Sequence, residues 1–129
     1  MSPETVSLEG WSTAPFPPVI DRFADYDLVG ATLALDVVDA RRTLGALISL
    51  DTAPNDTANG VRVVEESPAR IRYQIDQATM AAAYESARAA GLIKAGEDAE
   101  LVYDLRVTHS DGVVEVWTAG KFTIHAGKA

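Results

Sequence analysis

Residues 101–118 read Leu101-Val102-Tyr103-Asp104-Leu105-Arg106-Val107-Thr108, then His109, then Ser110-Asp111-Gly112, then Val113 to Thr118. Leu101, Tyr103, Leu105 and Val107 alternate with Val102, Asp104, Arg106 and Thr108. Period two is the signature of a strand with one buried face. Asp-Gly between two such runs is a strong hairpin signal, because the turn needs residues that accept positive φ. The chain is therefore predicted to return along 113–118 and to form a last short strand over 121–125, with Gly120 breaking or bulging the path. Working outward, Ala31, Leu33, Leu35 and Val37 repeat the alternation, and residues 44–50 form a short apolar run. Val61–Val64 and the Ile71, Tyr73, Ile75 alternation flank Glu65-Glu66-Ser67-Pro68, a second predicted hairpin. Only one stretch changes period: Asp76 is a good N-cap, Met80, Ala83, Tyr84 and Ala87 follow at helical spacing, and Gly91 supplies a stop. A helix over about 76–91 is inserted among roughly seven strands, which predicts a mainly β, antiparallel sandwich. Its core should contain Leu33, Leu35, Ile71, Tyr73, Ile75, Leu101, Tyr103 and Leu105.

Residues 1–18 have a different texture. Pro3, Pro15, Pro17 and Pro18 interrupt regular structure, yet the stretch carries Val6, Leu8, Trp11 and Phe16. Such groups are poor choices for a solvated tail. Two readings stay open: a first strand packing on its own domain, or an extended arm, 1–18, that docks on a neighbouring subunit and leaves 19–129 as the sandwich domain. In the second reading Val6, Leu8, Trp11 and Phe16 are the partner-binding residues.

The chain has 129 residues, 47% apolar and 23% charged, which is ordinary globular composition for one domain. Cysteine is absent, which excludes disulfides, thiolate metal ligands and a cysteine nucleophile. The formal charge of −8, with a sequence pI near 4.6, repels phosphate, so nucleic acid and anionic membranes are poor partners. No run approaches the ~20 apolar residues of a membrane helix, and residues 1–10 lack the basic and apolar regions of a signal peptide. The expectation is a protein made and kept in a cytoplasm unless its carrier leaves.

The search for chemistry returns little. His109 and His125 stand without paired ligand spacing, which predicts solvated strand-end histidines and no metal site. Asp51, Asn55, Asp56 and Asn59 crowd one loop, but not in calcium-loop order, and a solvated turn is expected. Asn55-Asp56-Thr57 matches the glycosylation pattern, and with no signal peptide expected the match is read as chance. Gly-x-Ser-x-Gly, GxGxxG and P-loop patterns are absent. Neither an enzyme nor a cofactor is indicated. The Met80, Ala83, Tyr84, Ala87 stripe is expected to pack on its own sheet, and Arg70 and Arg72 to pair with local acids on the solvent side.

Two segments carry a resemblance. The first is Asp25-Tyr26-Asp27-Leu28-Val29-Gly30-Ala31-Thr32-Leu33; the second is Leu101–Thr108 with Ser110-Asp111-Gly112, followed by Gly120-Lys121-Phe122-Thr123-Ile124. In order, these resemble a group of small tailed-bacteriophage and prophage virion proteins with a "[YD]-L-[TV]-G-A-T" strand opening, a "Y-D-L-x-V" strand before a "D-G" turn, and a closing "G-x-[VF]-x-[VI]". The matched order spans residues 19–125. The residues that carry it are Tyr26, Asp27, Leu28, Gly30, Tyr103, Asp104, Leu105, Asp111, Gly112 and Gly120. The Asp76–Gly91 helix departs from the pattern, where the family has a shorter segment. The resemblance implies an immunoglobulin-like β-sandwich and a non-enzymatic structural role in the tail, baseplate or fibre-attachment region of a phage particle, or alternatively a capsid decoration protein on the head. The partners it implies are other virion proteins and further copies of the chain in a symmetric assembly, with the protein residing in the virion after synthesis in a host bacterium. A small bacterial ligand-binding or enzymatic domain is the reading from outside this class.

Overall fold

The structure is a computed structural model that describes residues 4–17, 20–23, 27–42 and 45–127. Nine strands and one helix follow in the order β1 Glu4–Thr5, β2 Leu8–Trp11, β3 Ile20–Phe23, β4 Thr32–Asp39, β5 Ile48–Asp51, β6 Gly60–Glu65, β7 Ala69–Gln74, α1 Gln77–Ala89, β8 Ala99–Thr108 and β9 Val114–His125. The larger sheet runs β1-β9-β8-β4-β5, with β2 also on β9, and the smaller runs β3-β7-β6. One set of buried side chains from both sheets fills the space between them. Ignoring the N-terminal strands, the order β9-β8-β4-β5 against β3-β7-β6 matches the G-F-C-C′ and B-E-D sheets of an immunoglobulin variable-type sandwich. The mainly β, two-sheet expectation with one inserted helix is the fold observed.

Every predicted core residue is inside. Leu35, Ile71 and Leu105 have no exposed surface, and Leu33, Tyr73, Ile75, Leu101 and Tyr103 keep only a few per cent. The pairing of β8 with β4 places Leu105 opposite Leu35 and Val107 opposite Leu33, so the alternation read in 101–108 meets the alternation in 31–37 on one face. α1 starts where Asp76 caps it, its carboxylate accepting from Thr79 N at 2.8 Å, and its chain reverses at Gly91. Met80, Ala83, Tyr84 and Ala87 are buried against the chain's own core.

Three expectations are corrected. The larger sheet is not purely antiparallel: β1 and β2 run parallel to β9. Lys121–His125 is not a separate strand, because β9 is continuous from Val114 to His125. The irregularity falls elsewhere, between Leu105 and Arg106, where Leu105 pairs with Thr118 and Arg106 with Val116. Trp117 is the extra residue of this bulge, so both Trp117 and Thr118 point inward and are buried. Trp117 packs on Phe23 of the smaller sheet with ring centroids 5.1 Å apart.

The third correction concerns the arm: of 1–18, the described residues 4–17 pack on their own domain, the first of the two readings left open. Val6 N donates to Ala119 O, Ser12 N to His125 O and Phe16 N to Ile75 O. Leu8 and Phe16 are core residues, and Phe16 stacks on Phe122 at 5.4 Å. Of the four residues expected to bind a partner, Leu8 and Phe16 are thus consumed by their own domain, and Val6 is half-buried against the core. Trp11 alone stays exposed, at 42%. The expected boundary at 18/19 falls on residues outside those described.

Candidate interaction surface

The motif residues gather at two joints. At the first, Asp27 Oδ1 accepts from Val29 N at 2.8 Å, and Leu28, buried, closes a turn by accepting from Ala31 N. Gly30 has φ +72°, and a Cβ there would lie 3.1 Å from Ser110 Cβ. The turn before β4 therefore touches the Ser110-Asp111-Gly112 turn, where Asp111 Oδ1 accepts from Val113 N at 3.0 Å. Tyr26 lies outside the described residues. At the second joint, Tyr103 and Gly120 are register partners across β8 and β9. Tyr103 donates its hydroxyl to the carbonyl of Val6 at 2.7 Å. A Cβ on Gly120 would sit 2.3 Å from that same oxygen, so only glycine lets the N-terminal strand approach. Burial pushes the Tyr103 phenol up to about 12, opposed by its hydrogen bond with Thr118 and helped by the Asp21 charge. Leu105 is core and Asp104 faces outward.

The outer side of the larger sheet is built by register. Ala34, Asp36 and Val38 of β4 lie level with Arg106, Asp104 and Val102 of β8, and these with Val116, Ala119 and Lys121 of β9. At the end of β9 near the first joint this face is apolar, with Val114 58% and Val116 36% exposed, and Val29 and Val113 are exposed in the adjoining turns. The bulge sets this end apart. Below it, the alternation of β9 buries one residue in two; above it, Val114 and Val116 face outward with Thr108 and Arg106. Beside the valines stands an ion cluster. Arg106 donates from Nη2 to Asp36, its Nε lies 3.4 Å from Asp104 Oδ1, and Ser49 Oγ donates to Asp36 at 2.8 Å. Sequence alternation placed Asp104 and Arg106 on the outer face, but nothing in the sequence pairs them with Asp36, which is 70 residues from Arg106.

The remaining candidates are explained locally. His125 sits between Asp98 (Nδ1 to Oδ2, 3.0 Å) and Glu9 (Nε2 to Oε2, 3.1 Å), with the Trp11 ring 4.9 Å away. Asp98 first and Glu9 second hold its imidazole above its ordinary range. His109 contacts Glu115 and packs 6.1 Å from Trp117. In the 51–60 loop, Asn55 Oδ1 accepts from Thr57 N and Ala58 N. Asp56 pairs with Arg62 and Arg72, and the Arg62 hydrogen bond leads in holding its carboxyl below the usual range. Those oxygens are spent on the turn, and no group of metal ligands forms among the described residues. A cleft of about 810 Å³ lies between the end of α1, the end of β4 and the start of β8, lined by Ala87, Leu92 and Ile93 together with Asp39, Arg41 and Glu97. No helix among the described residues is long and apolar enough to cross a membrane.

No protein-family model and no curated protein matches the sequence. Among solved structures, one of murine CRIg is 12% identical, covers 99% of this chain and 96% of its own, and has a TM-score of 0.37. The immunoglobulin-like assignment stands on the strand order of the two sheets.

Proposed function

We propose that the protein is a non-enzymatic structural component of a bacteriophage particle, in the tail, baseplate or fibre-attachment region, and that it works by protein–protein assembly through the outer face of its larger sheet. The observation that supports this is the pair of exposed valines on that face, Val114 and Val116, with Val29 and Val113 exposed at the adjoining turns. Single exposed apolar residues are commonplace, whereas several brought together by two touching turns and one strand mark an interaction surface. Val114 and Val116 face away from the core, and a partner surface laid on them would bury both. The ordered motif set supplies the phage context. The sandwich behind the face is filled, which makes it a rigid platform.

The test uses Val114→Glu/Val116→Glu in particles made by the phage or lysogen that encodes the chain. The variant should melt like the parent and be missing from purified particles. Labelled parent protein should decorate the tail end. Label on the head would replace this placement with capsid decoration, and normal incorporation of the variant would end the assembly reading of this face.

A further inference from the structure

The partner's chemistry can be read from the charges on the same face, an inference that rests on the assembly reading. At its centre Asp36 and Asp104 share one guanidinium, Arg106, so the cluster keeps one net negative charge at neutral pH. The three side chains are only 25–42% exposed although no layer of the described chain covers them. Asp104 Oδ1 and Arg106 Nε are shielded from solvent and face each other at 3.4 Å as an ion pair, without a hydrogen bond among the described residues. The surrounding face adds Glu9, Asp51 and Glu100 against Lys121, by the register of β2, β5, β8 and β9. Five carboxylates, of which Glu9 is already on His125, thus face two permanent cations, in a chain whose total is already −8. A second copy laid on this face would set like charge against like, which costs several kcal/mol at an interface and slows encounter. A cationic surface would instead be steered in, and an arginine or lysine placed beside the half-desolvated carboxylates would complete a two-anion, two-cation network.

We propose that this face docks a protein partner that presents basic side chains among apolar ones, with the cation seated at Asp36 and Asp104 and the apolar groups on Val114 and Val116. The geometry assigns each half of the surface a task. The valine pair contributes buried area, and the acidic cluster sets partner choice and association rate.

The test titrates the full ¹⁵N-labelled chain with two synthetic β-hairpin peptides, one alternating valine with arginine and the other valine with glutamate. The arginine peptide should shift amides of residues 34–38, 102–106 and 114–119, less so as salt is raised, and the glutamate peptide should not. Asp36→Asn/Asp104→Asn should weaken the arginine peptide about tenfold. Lys121→Glu, an exposed change away from the cluster, should tighten it several-fold and keeps the question answerable if the double variant misfolds. Equal binding of both peptides, shifts confined to other surfaces, or line broadening that grows with protein concentration alone would overturn the basic-partner proposal, the last in favour of a second copy. If the arginine peptide fails to bind while Val114→Glu/Val116→Glu is still lost from particles, the assembly reading survives and the charge chemistry falls. If that variant incorporates normally, the assembly reading itself fails.

Discussion

Tyr103, 97 residues from Val6, and Gly120 show how residues far along the chain can decide where the N-terminal strand goes. One donates to the Val6 carbonyl and the other makes room for it. Tyr103→Phe removes the donor and leaves a carbonyl less well satisfied, at a cost of about 1–2 kcal/mol. The pH consequence has a definite sign. The folded phenol is raised to about 12 from 10.0, so above pH 10 the unfolded chain has lost a proton that the folded chain keeps. Stability is full below about pH 10 and falls as pH rises toward 12. Chemical denaturation across that interval should show the decline in the parent and a shallower one in Tyr103→Phe; identical slopes would remove Tyr103 from the account. His125 behaves in the opposite sense to a carboxylate. Its pKa is raised by Asp98 and Glu9, so its contribution is full below the ordinary 6.5 and is lost as pH rises through the folded value. Asp98 is lowered by the same contact, so the clamp also weakens in acid as pH falls through that carboxyl's folded value. Imidazolium quenches a neighbouring indole, and Trp11 lies 4.9 Å from His125. Trp11 emission should therefore rise with pH, with a midpoint above 6.5, measured in a Trp117→Phe background to remove the second indole. His125→Gln should flatten the curve, and a midpoint at or below 6.5 would show that the clamp does not hold the imidazolium.

At the scale of elements, the N-terminal strand and the β9 bulge are the two features that distinguish this sandwich. β2 closes the edge of the larger sheet, and Phe16 covers Phe122 from the smaller sheet's end. Removal of residues 1–17 uncovers the β9 edge, the buried Tyr103 hydroxyl and part of the core at once. An open edge beside apolar surface is a template for aggregation. The truncated chain is expected to lose its cooperative melt by circular dichroism or to sediment as aggregates; a monomeric, cooperatively melting product would show the strand to be dispensable and return the stretch to the role of a detachable arm. The bulge does different work. By turning Trp117 inward beside Thr118 it supplies the largest side chain of the core, and it frees Val114 and Val116 to the outer face. Trp117→Ala is expected to cost about 3–5 kcal/mol in denaturant unfolding, as for other large aromatic deletions. A loss under 1 kcal/mol would mean that the Phe23 contact contributes little.

For the molecule as a whole, the division of labour is between a filled interior and an acidic, partly apolar outer face, and the particle and peptide experiments above test that face. Its existence was half legible. The alternations in 31–37 and 101–108 assign Leu33, Leu35, Tyr103 and Leu105 to one side and Asp104 and Arg106 to the other, because the side-chain period of a strand is two wherever it pairs. The Asp-Gly turn, the Asp76 cap and the Gly91 stop were equally local and equally secure, since each depends on the conformational preference of one or two residues. The sequence by itself therefore determined the two-sheet β class, the hairpins, the helix and the inward face of most strands. It could not decide which strand Leu8 joins, since an extended apolar stretch fits any open edge until Gly120 and Tyr103 are placed beside it. Nor could it reveal that one extra residue at Trp117 inverts the facing of Val114 and Val116, because a bulge is defined only by the strand opposite. The Asp36–Arg106–Asp104 cluster belongs to the same class: it exists because β4 and β8 are neighbours in space, and only the tertiary pairing of the two strands brings its charges together.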